Sequence, residues 1–259
     1  MKKLAILLLS AAAIALSGPA AAKDWKKIRI GVEGAYPPFS SVTPEGKLVG
    51  FDIDIAQALC TQMQVECTMV QQDWDGIIPA LLARKYDAII ASMSITEERK
   101  KKVAFSKKYY QTPAKFARPK GSEVEITKEG LAGKTVGVQR ATIFDDFLSK
   151  EYGDALTLKR YGTQDEAYID ASAGRVDLLM ADSVAMDDGF LKTDAGKDWE
   201  FIGPNFDDPK YFGEGAGIAI RKADTDLVEK INAAIDAIRA DGTYDEISKK
   251  YFSFDVYGS

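Results

Sequence analysis

The sequence predicts an α/β protein built from two similar units. Three observations carry this. Between residues 28 and 91, short β-branched runs alternate with helical stretches in the order β-α-β-α-β, the pattern of a sheet covered by helices. The same order begins again at residue 134 and runs to residue 183. A third segment, from residue 218, then supplies one more strand and two helical stretches, so the chain passes between the units at least twice.

The elements follow in order. Lys2 and Lys3 precede an apolar run from residue 4 to residue 16, too short to span a bilayer, and Ala20, Ala21 and Ala22 offer a small-residue cleavage site. Residues 1–22 are therefore expected to be a signal peptide, and the protein to be exported to the periplasm. Residues 28–32 alternate as a strand and end in a loop, Glu33-Gly34-Ala35-Tyr36-Pro37-Pro38-Phe39. Acids open a helix at residues 50–59. Residues 65–70 form the next strand, and residues 72–75 lead into a helix at 76–83. Residues 105–113 read as a connection. The second unit has strands at 134–138, 156–160 and 176–180, with helices at 143–150 and 163–173 between them. A polar stretch rich in Gly and Pro, residues 203–217, separates it from the last strand, 218–221, and from helices at 225–239 and 243–251.

The richest stretch is residues 87–99, DAIIASMSITEER. Ala88 to Ala91 is an apolar run suited to a buried strand. It turns at once into Ser92, Ser94 and Thr96, and Arg99 follows. Hydroxyls and backbone N–H groups at a strand end can donate to a carboxylate, and an arginine can grip it with two parallel hydrogen bonds. The plainer reading is a helix cap at Ser94 or Thr96 with Arg99 in solvent. Glu33, Tyr36 and Trp74 also fall at strand ends, where α/β proteins place ligands. Two aromatics there suit a long, flat or cationic side chain, and Glu33 supplies the opposite charge.

Composition narrows the function. The chain has no histidine, which removes the usual general base at neutral pH and the Ser–His and Cys–His pairs. Its formal charge of −5 becomes −7 without Lys2 and Lys3, against nucleic acid or anionic membranes as partners. Cys60 and Cys67 are the two cysteines, and their spacing in an exported chain suits a local disulfide better than a metal pair. The run Arg99 to Lys102 reads as a solvated helix face. The glycines of residues 213–217 precede a strand instead of following one, unlike a dinucleotide loop.

Four motifs stand in a telling order: Tyr36-Pro37-Pro38-Phe39, Gly50-Phe51-Asp52-Ile53-Asp54, Trp74-Asp75-Gly76-Ile77-Ile78-Pro79, and Ser92-Met93-Ser94-Ile95-Thr96 with Arg99. Gly174-Arg175-Val176-Asp177, Lys210-Tyr211-Phe212-Gly213, Asp241-Gly242-Thr243-Tyr244 and Lys250-Tyr251-Phe252 extend the set over nearly the whole mature chain. The set resembles the polar amino acid solute-binding proteins of ABC importers, family 3, and within them the periplasmic lysine/arginine/ornithine-binding branch, whose disulfide falls at Cys60 and Cys67.

The resemblance implies a periplasmic-binding-protein (Venus flytrap) fold. Each lobe is a sheet flanked by helices, and two crossover strands join the lobes. Lobe 1 would hold residues 23–111 and 214–259, and lobe 2 residues 112–213. It implies a monomer that binds one free basic L-amino acid, needs no cofactor or metal, and hands its ligand to a membrane permease. Arg99 would clamp the α-carboxylate with Ser94 and the backbone N–H of Thr142. Asp182 would pair with the α-ammonium, with Ser92 and Ser94 as further acceptors. Two departures bear on the ligand. Ala91 stands where the basic amino acid binders often have serine, and Gln139 opens an unusual turn and could reach the ligand side chain. Both leave an opine as an alternative. Arg140 reads either as a lobe-closing ion pair or as solvated. A dehydratase on the same fold is the rival from another class, and a chemoreceptor ligand sensor is compatible with import.

Overall fold

The computed structural model describes residues 23–258, so the expected signal peptide at residues 1–22 lies outside the described residues. Strand β1 (Lys27–Val32) alternates exposed Lys27 and Arg29 with buried Ile28 and Ile30. A small meander follows: β2 (Ala35–Tyr36), β3 (Ser40–Val42) and β4 (Leu48–Val49). Helix α1 (Phe51–Met63) leads to β5 (Glu66–Gln71), and a single 3-10 turn (Trp74–Gly76) runs into α2 (Ile77–Leu82). Next come the short β6 (Ala88–Ile89), α3 (Glu97–Lys100) and β7 (Ala104–Tyr110).

The chain then crosses to a second sheet through β8 (Ala114–Pro119). Strand β9 (Thr135–Gln139), α4 (Ile143–Tyr152), β10 (Thr157–Tyr161), α5 (Gln164–Ser172) and β11 (Leu178–Asp182) repeat the β-α-β-α-β order. Helix α6 (Ser183–Met186), β12 (Trp199–Phe206) and α7 (Pro209–Phe212) complete that part. Strand β13 (Ala216–Ile220) returns to the first sheet, and α8 (Thr225–Ala240) and α9 (Thr243–Tyr251) end the chain. Among the described residues, no helix is long and apolar enough to cross a membrane.

The two five-stranded sheets share one plan. The first has the order β5-β1-β6-β13-β7 and the second β10-β9-β11-β8-β12. In each, the first three strands are parallel and the last two antiparallel. Each sheet has a hydrophobic cluster on both faces, as a mostly parallel sheet requires. This is the two-domain α/β fold that the sequence predicts. Cys60 and Cys67 form a disulfide with their Cα atoms 6.1 Å apart, tying the end of α1 to the start of β5.

Several segments differ from the reading of the sequence. Residues 105–113 are not a connection: most of them are β7, and only residues 111–113 link the sheets. Lys107 and Lys108 hid the strand, because β7 is an edge and its charged face meets α8, where Lys107 pairs with Asp236. The stretch 203–217 is not uniformly irregular either. Gly203 and Pro204 lie inside β12, another edge strand, at a register shift between Ile202 and Phe206. A proline is tolerated there because no further strand needs its N–H. Gly213 lies at the second crossover with φ of +76°, and a Cβ there would stand 2.4 Å from the Ile95 carbonyl oxygen. That glycine permits close packing of the crossover on the first sheet.

Candidate ligand-binding cleft

All ten side chains singled out in the sequence line one cleft between the two sheets: Glu33, Tyr36, Trp74, Ala91, Ser92, Ser94, Arg99, Gln139, Thr142 and Asp182. It holds about 690 Å³ of empty space, its open mouth included, within the range of small-molecule sites. Topology makes this possible. Glu33 follows β1, Trp74 follows β5, and Ala91 and Ser92 follow β6, so one wall is the C-terminal edge of three parallel strands. Gln139 ends β9 and Asp182 ends β11, so the facing wall is the matching edge of the second sheet.

The first wall is held by a buried acid. Asp52, in the first turn of α1, is fully buried and accepts hydrogen bonds from the Ser92 N–H (2.8 Å), the Ser92 hydroxyl (3.1 Å) and the Tyr109 hydroxyl (2.8 Å). These bonds hold Ser92 at φ of +51°, a conformation uncommon for residues with a Cβ. The hydroxyl proton of Ser92 is thereby committed, so its oxygen presents lone pairs to the cleft. Burial pushes the Asp52 carboxyl up to about 7, against the pull of its donors.

Thr96 caps α3, its hydroxyl accepting from the Arg99 N–H at 3.2 Å, as the plainer reading held. Arg99 nevertheless turns back into the cleft. Its guanidinium donates to the Ser94 carbonyl at 3.0 Å and stands 5.2 Å from the Trp74 ring centre. Desolvation lowers it from 12.5 to about 10, so it stays cationic at neutral pH.

On the facing wall, Thr142 is the N-cap of α4. Its hydroxyl accepts from the Asp145 N–H (3.2 Å) and donates to the Gln139 carbonyl (2.8 Å), which leaves its backbone N–H as its donor to the cleft. Asp182, 7% exposed, caps α6 through the N–H groups of Val184 (2.8 Å) and Ala185 (3.1 Å). Its other oxygen accepts from the hydroxyl of Thr112, in the first crossover. Burial raises it to about 6. Glu33, 6% exposed, is raised to about 8, mainly by burial, and Asp165, Asp73 and Asp52 add repulsion.

Among the described residues, three polar contacts join the walls. Gln139 Nε2 donates to Glu33 Oε1 at 2.6 Å, Trp74 Nε1 donates to the Ala141 carbonyl at 3.1 Å, and Arg140 pairs with Asp75. Arg140 is thus one of the bridges between the walls and not a merely solvated side chain. Sequence reasoning missed Asp52 and Thr112 as supports, and Tyr110 and Asp207 as lining residues. Asp52 stood within a quoted motif, but an acid in a first helical turn normally faces solvent, so its burial left no mark in the sequence.

Comparison with known proteins places this geometry. The model of the bacterial extracellular solute-binding proteins, family 3, matches residues 28–254. The chain belongs to that family. Among family-3 solute-binding proteins, it is 55% identical to an L-arginine-binding protein of Pseudomonas aeruginosa over the full length of both chains. It is 43% identical to a lysine/arginine/ornithine-binding periplasmic protein of Escherichia coli, again over both full lengths. A solved structure of an ancestral arginine-binding protein bound to arginine superposes with a TM-score of 0.81 at 38% identity, covering 88% of this chain and 99% of that one.

Proposed function

We propose that this solute-binding protein captures a cationic L-amino acid, arginine first and then ornithine or lysine, and delivers it to the permease of an ABC importer. The single observation that carries the ligand class is Glu33. An amino acid zwitterion taken out of water needs one fixed cation and one fixed anion, because an unpaired buried charge costs several kcal/mol. Arg99 and Asp182 supply that pair. Glu33 is a further buried acid in the same cleft, beside the Trp74 and Tyr36 rings, and it calls for a positive charge on the side chain.

In this reading Arg99, with Ser94 and the Thr142 N–H, holds the α-carboxylate, and Asp182 and the Ser92 oxygen take the α-ammonium. Lobe 1 is residues 23–111 and 214–259, and lobe 2 is residues 112–213. The mature protein is a periplasmic monomer without catalytic activity, released from residues 1–22. Ligand held between the lobes stabilises the closed form, and the permease reads that form. The arginine-binding names of the relatives support the ligand class. The Gln139 amide is engaged with Glu33 and with the Gly162 carbonyl (3.2 Å), which speaks for orienting the acid and against reaching an opine carboxylate.

Calorimetric titration of the mature protein with arginine, ornithine, lysine, histidine, glutamine and octopine tests this at neutral pH. Tight arginine binding is expected, with the ligand recovered unchanged. Tight glutamine or octopine binding with none of arginine overturns it, and conversion of the ligand overturns the non-enzymatic reading.

A further inference from the structure

Glu33 is placed to do more than select a cation. Its two carboxyl oxygens are not equivalent. Oε1 accepts from Gln139 Nε2 at 2.6 Å, and the same nitrogen is held by the Gly162 carbonyl at 3.2 Å. Gln139 is therefore fixed as a donor, and Oε1 remains an acceptor whether or not the acid is ionised. The other oxygen, Oε2, is left for the ligand. As a carboxylate oxygen it accepts from a guanidinium or ammonium. As the O–H of a carboxylic acid it donates to a carbonyl.

The surroundings decide when the second form appears. The charged groups that act on Glu33 come from three directions and are all acids: Asp165 from α5, Asp73 after β5, and Asp52 from α1. The neutral neighbours on the cleft wall are the Tyr36 phenol and the Gln139 amide. Gln139 ends β9 and Gly162 follows β10, so both reach Glu33 from the facing wall. Closing over a ligand without a side-chain charge therefore buries this carboxyl with no cation beside it.

We propose that the same cleft takes a second class of ligand, an amino acid whose side chain ends in a neutral carboxamide or ureido group, together with one proton from solvent that resides on Glu33 Oε2. The proton comes from water or buffer as the walls close, and it returns when they part. The acid then donates to the ligand carbonyl. A cationic side chain takes no proton, because it keeps Glu33 ionised. This rests on the cationic-ligand reading for the placement of the ligand's α-carboxylate and α-ammonium.

The sign follows from linkage. A carboxyl raised on closing binds protons in the closed state that it does not bind in the open one, so closure strengthens as pH falls below about 8. The limiting slope is about tenfold in affinity per pH unit. Asp182, which meets the α-ammonium, and Asp52, behind Ser92, also titrate, but their surroundings are the same in both ligand classes, so a comparison of two isosteric ligands cancels them.

Arginine and citrulline are that pair. Calorimetry of the mature protein at pH 6 and pH 8, each in two buffers of different ionisation heat, is the test. Citrulline affinity relative to arginine is expected to rise at least tenfold from pH 8 to pH 6, and at pH 6 citrulline is expected to take up close to one proton more than arginine. Glu33→Gln, checked for folding by circular dichroism, is expected to lose at least tenfold of the citrulline gain at pH 6, together with the proton uptake that goes with it. A citrulline-to-arginine affinity ratio that does not rise at pH 6, or a citrulline pH dependence and proton uptake that are the same in Glu33→Gln as in the unaltered protein, overturns the proposal. Arginine failing at both pH values overturns the cationic-ligand reading instead, and the citrulline arm still decides this one.

Discussion

Arg99 lies in a half-buried place where a solvated cation would gain nothing. Its backbone N–H is spent on the Thr96 cap, and one guanidinium nitrogen is spent on the Ser94 carbonyl, so the fork is aimed before any ligand arrives. Preorganisation of this kind removes side-chain entropy from the cost of binding. Arg99→Ala is expected to weaken every amino acid ligand by 100-fold or more, since about 3 kcal/mol or more is lost when a buried charge loses its partner. Titration of the variant with arginine, with circular dichroism as a folding control, checks this. A near-normal affinity would remove the carboxylate clamp. The sequence could name Arg99, Ser92 and Ser94 because strand-end hydroxyls followed by an arginine have few uses. It could not name Asp52, since its role depends on α1 lying beneath the turn at Ser92, which is a matter of packing and not of local pattern.

At the scale of elements, the parallel strands and the buried antiparallel β13 were legible, and the antiparallel β7, β8 and β12 were not. Strand β1 alternates and is β-branched, and β9 and β11 are buried along nearly their whole length and read as apolar runs. Strands β7 and β12 are edges, carry lysines or a glycine and proline, and look like loops. The small meander β2 to β4 spans too few residues for any period to show. The disulfide separates an element's stability from the function of the site. It closes a short loop and contributes about 2.5 kcal/mol on the chain-entropy model. Cys67 pairs with Ile28 near the start of β1, whereas Glu33 follows the end of that strand, so the bridge and the cleft lie at opposite ends of the sheet. Reduction, or Cys60→Ser with Cys67→Ser, is expected to lower the denaturant midpoint and to leave arginine affinity within twofold. A large loss of affinity in the folded, reduced protein would contradict this placement.

At the scale of the whole molecule, three polar contacts join the lobes, and each is separately removable. The Arg140–Asp75 pair is half exposed, with side-chain exposures of 50% and 36%, so it is worth at most about 1 kcal/mol after screening. Arg140→Ala is expected to speed arginine release by a few-fold, to leave the association rate nearly unchanged, and to do so less at high salt. Stopped-flow kinetics at two ionic strengths reads all three. A slower association with unchanged release would place Arg140 in steering and not in closure. Trp74 joins the walls differently, through its indole N–H on the Ala141 carbonyl. The chain has three tryptophans. Trp25 is bonded to Asp226 of α8, which packs beside the first sheet, and Trp199 packs on Phe190 beside the second. Trp74 alone changes neighbours when the walls part, so the protein carries a built-in optical gauge of its own state. An emission change on adding arginine is expected to survive Trp25→Phe and Trp199→Phe and to vanish in Trp74→Phe, which lets opening and shutting be followed by light without any attached dye.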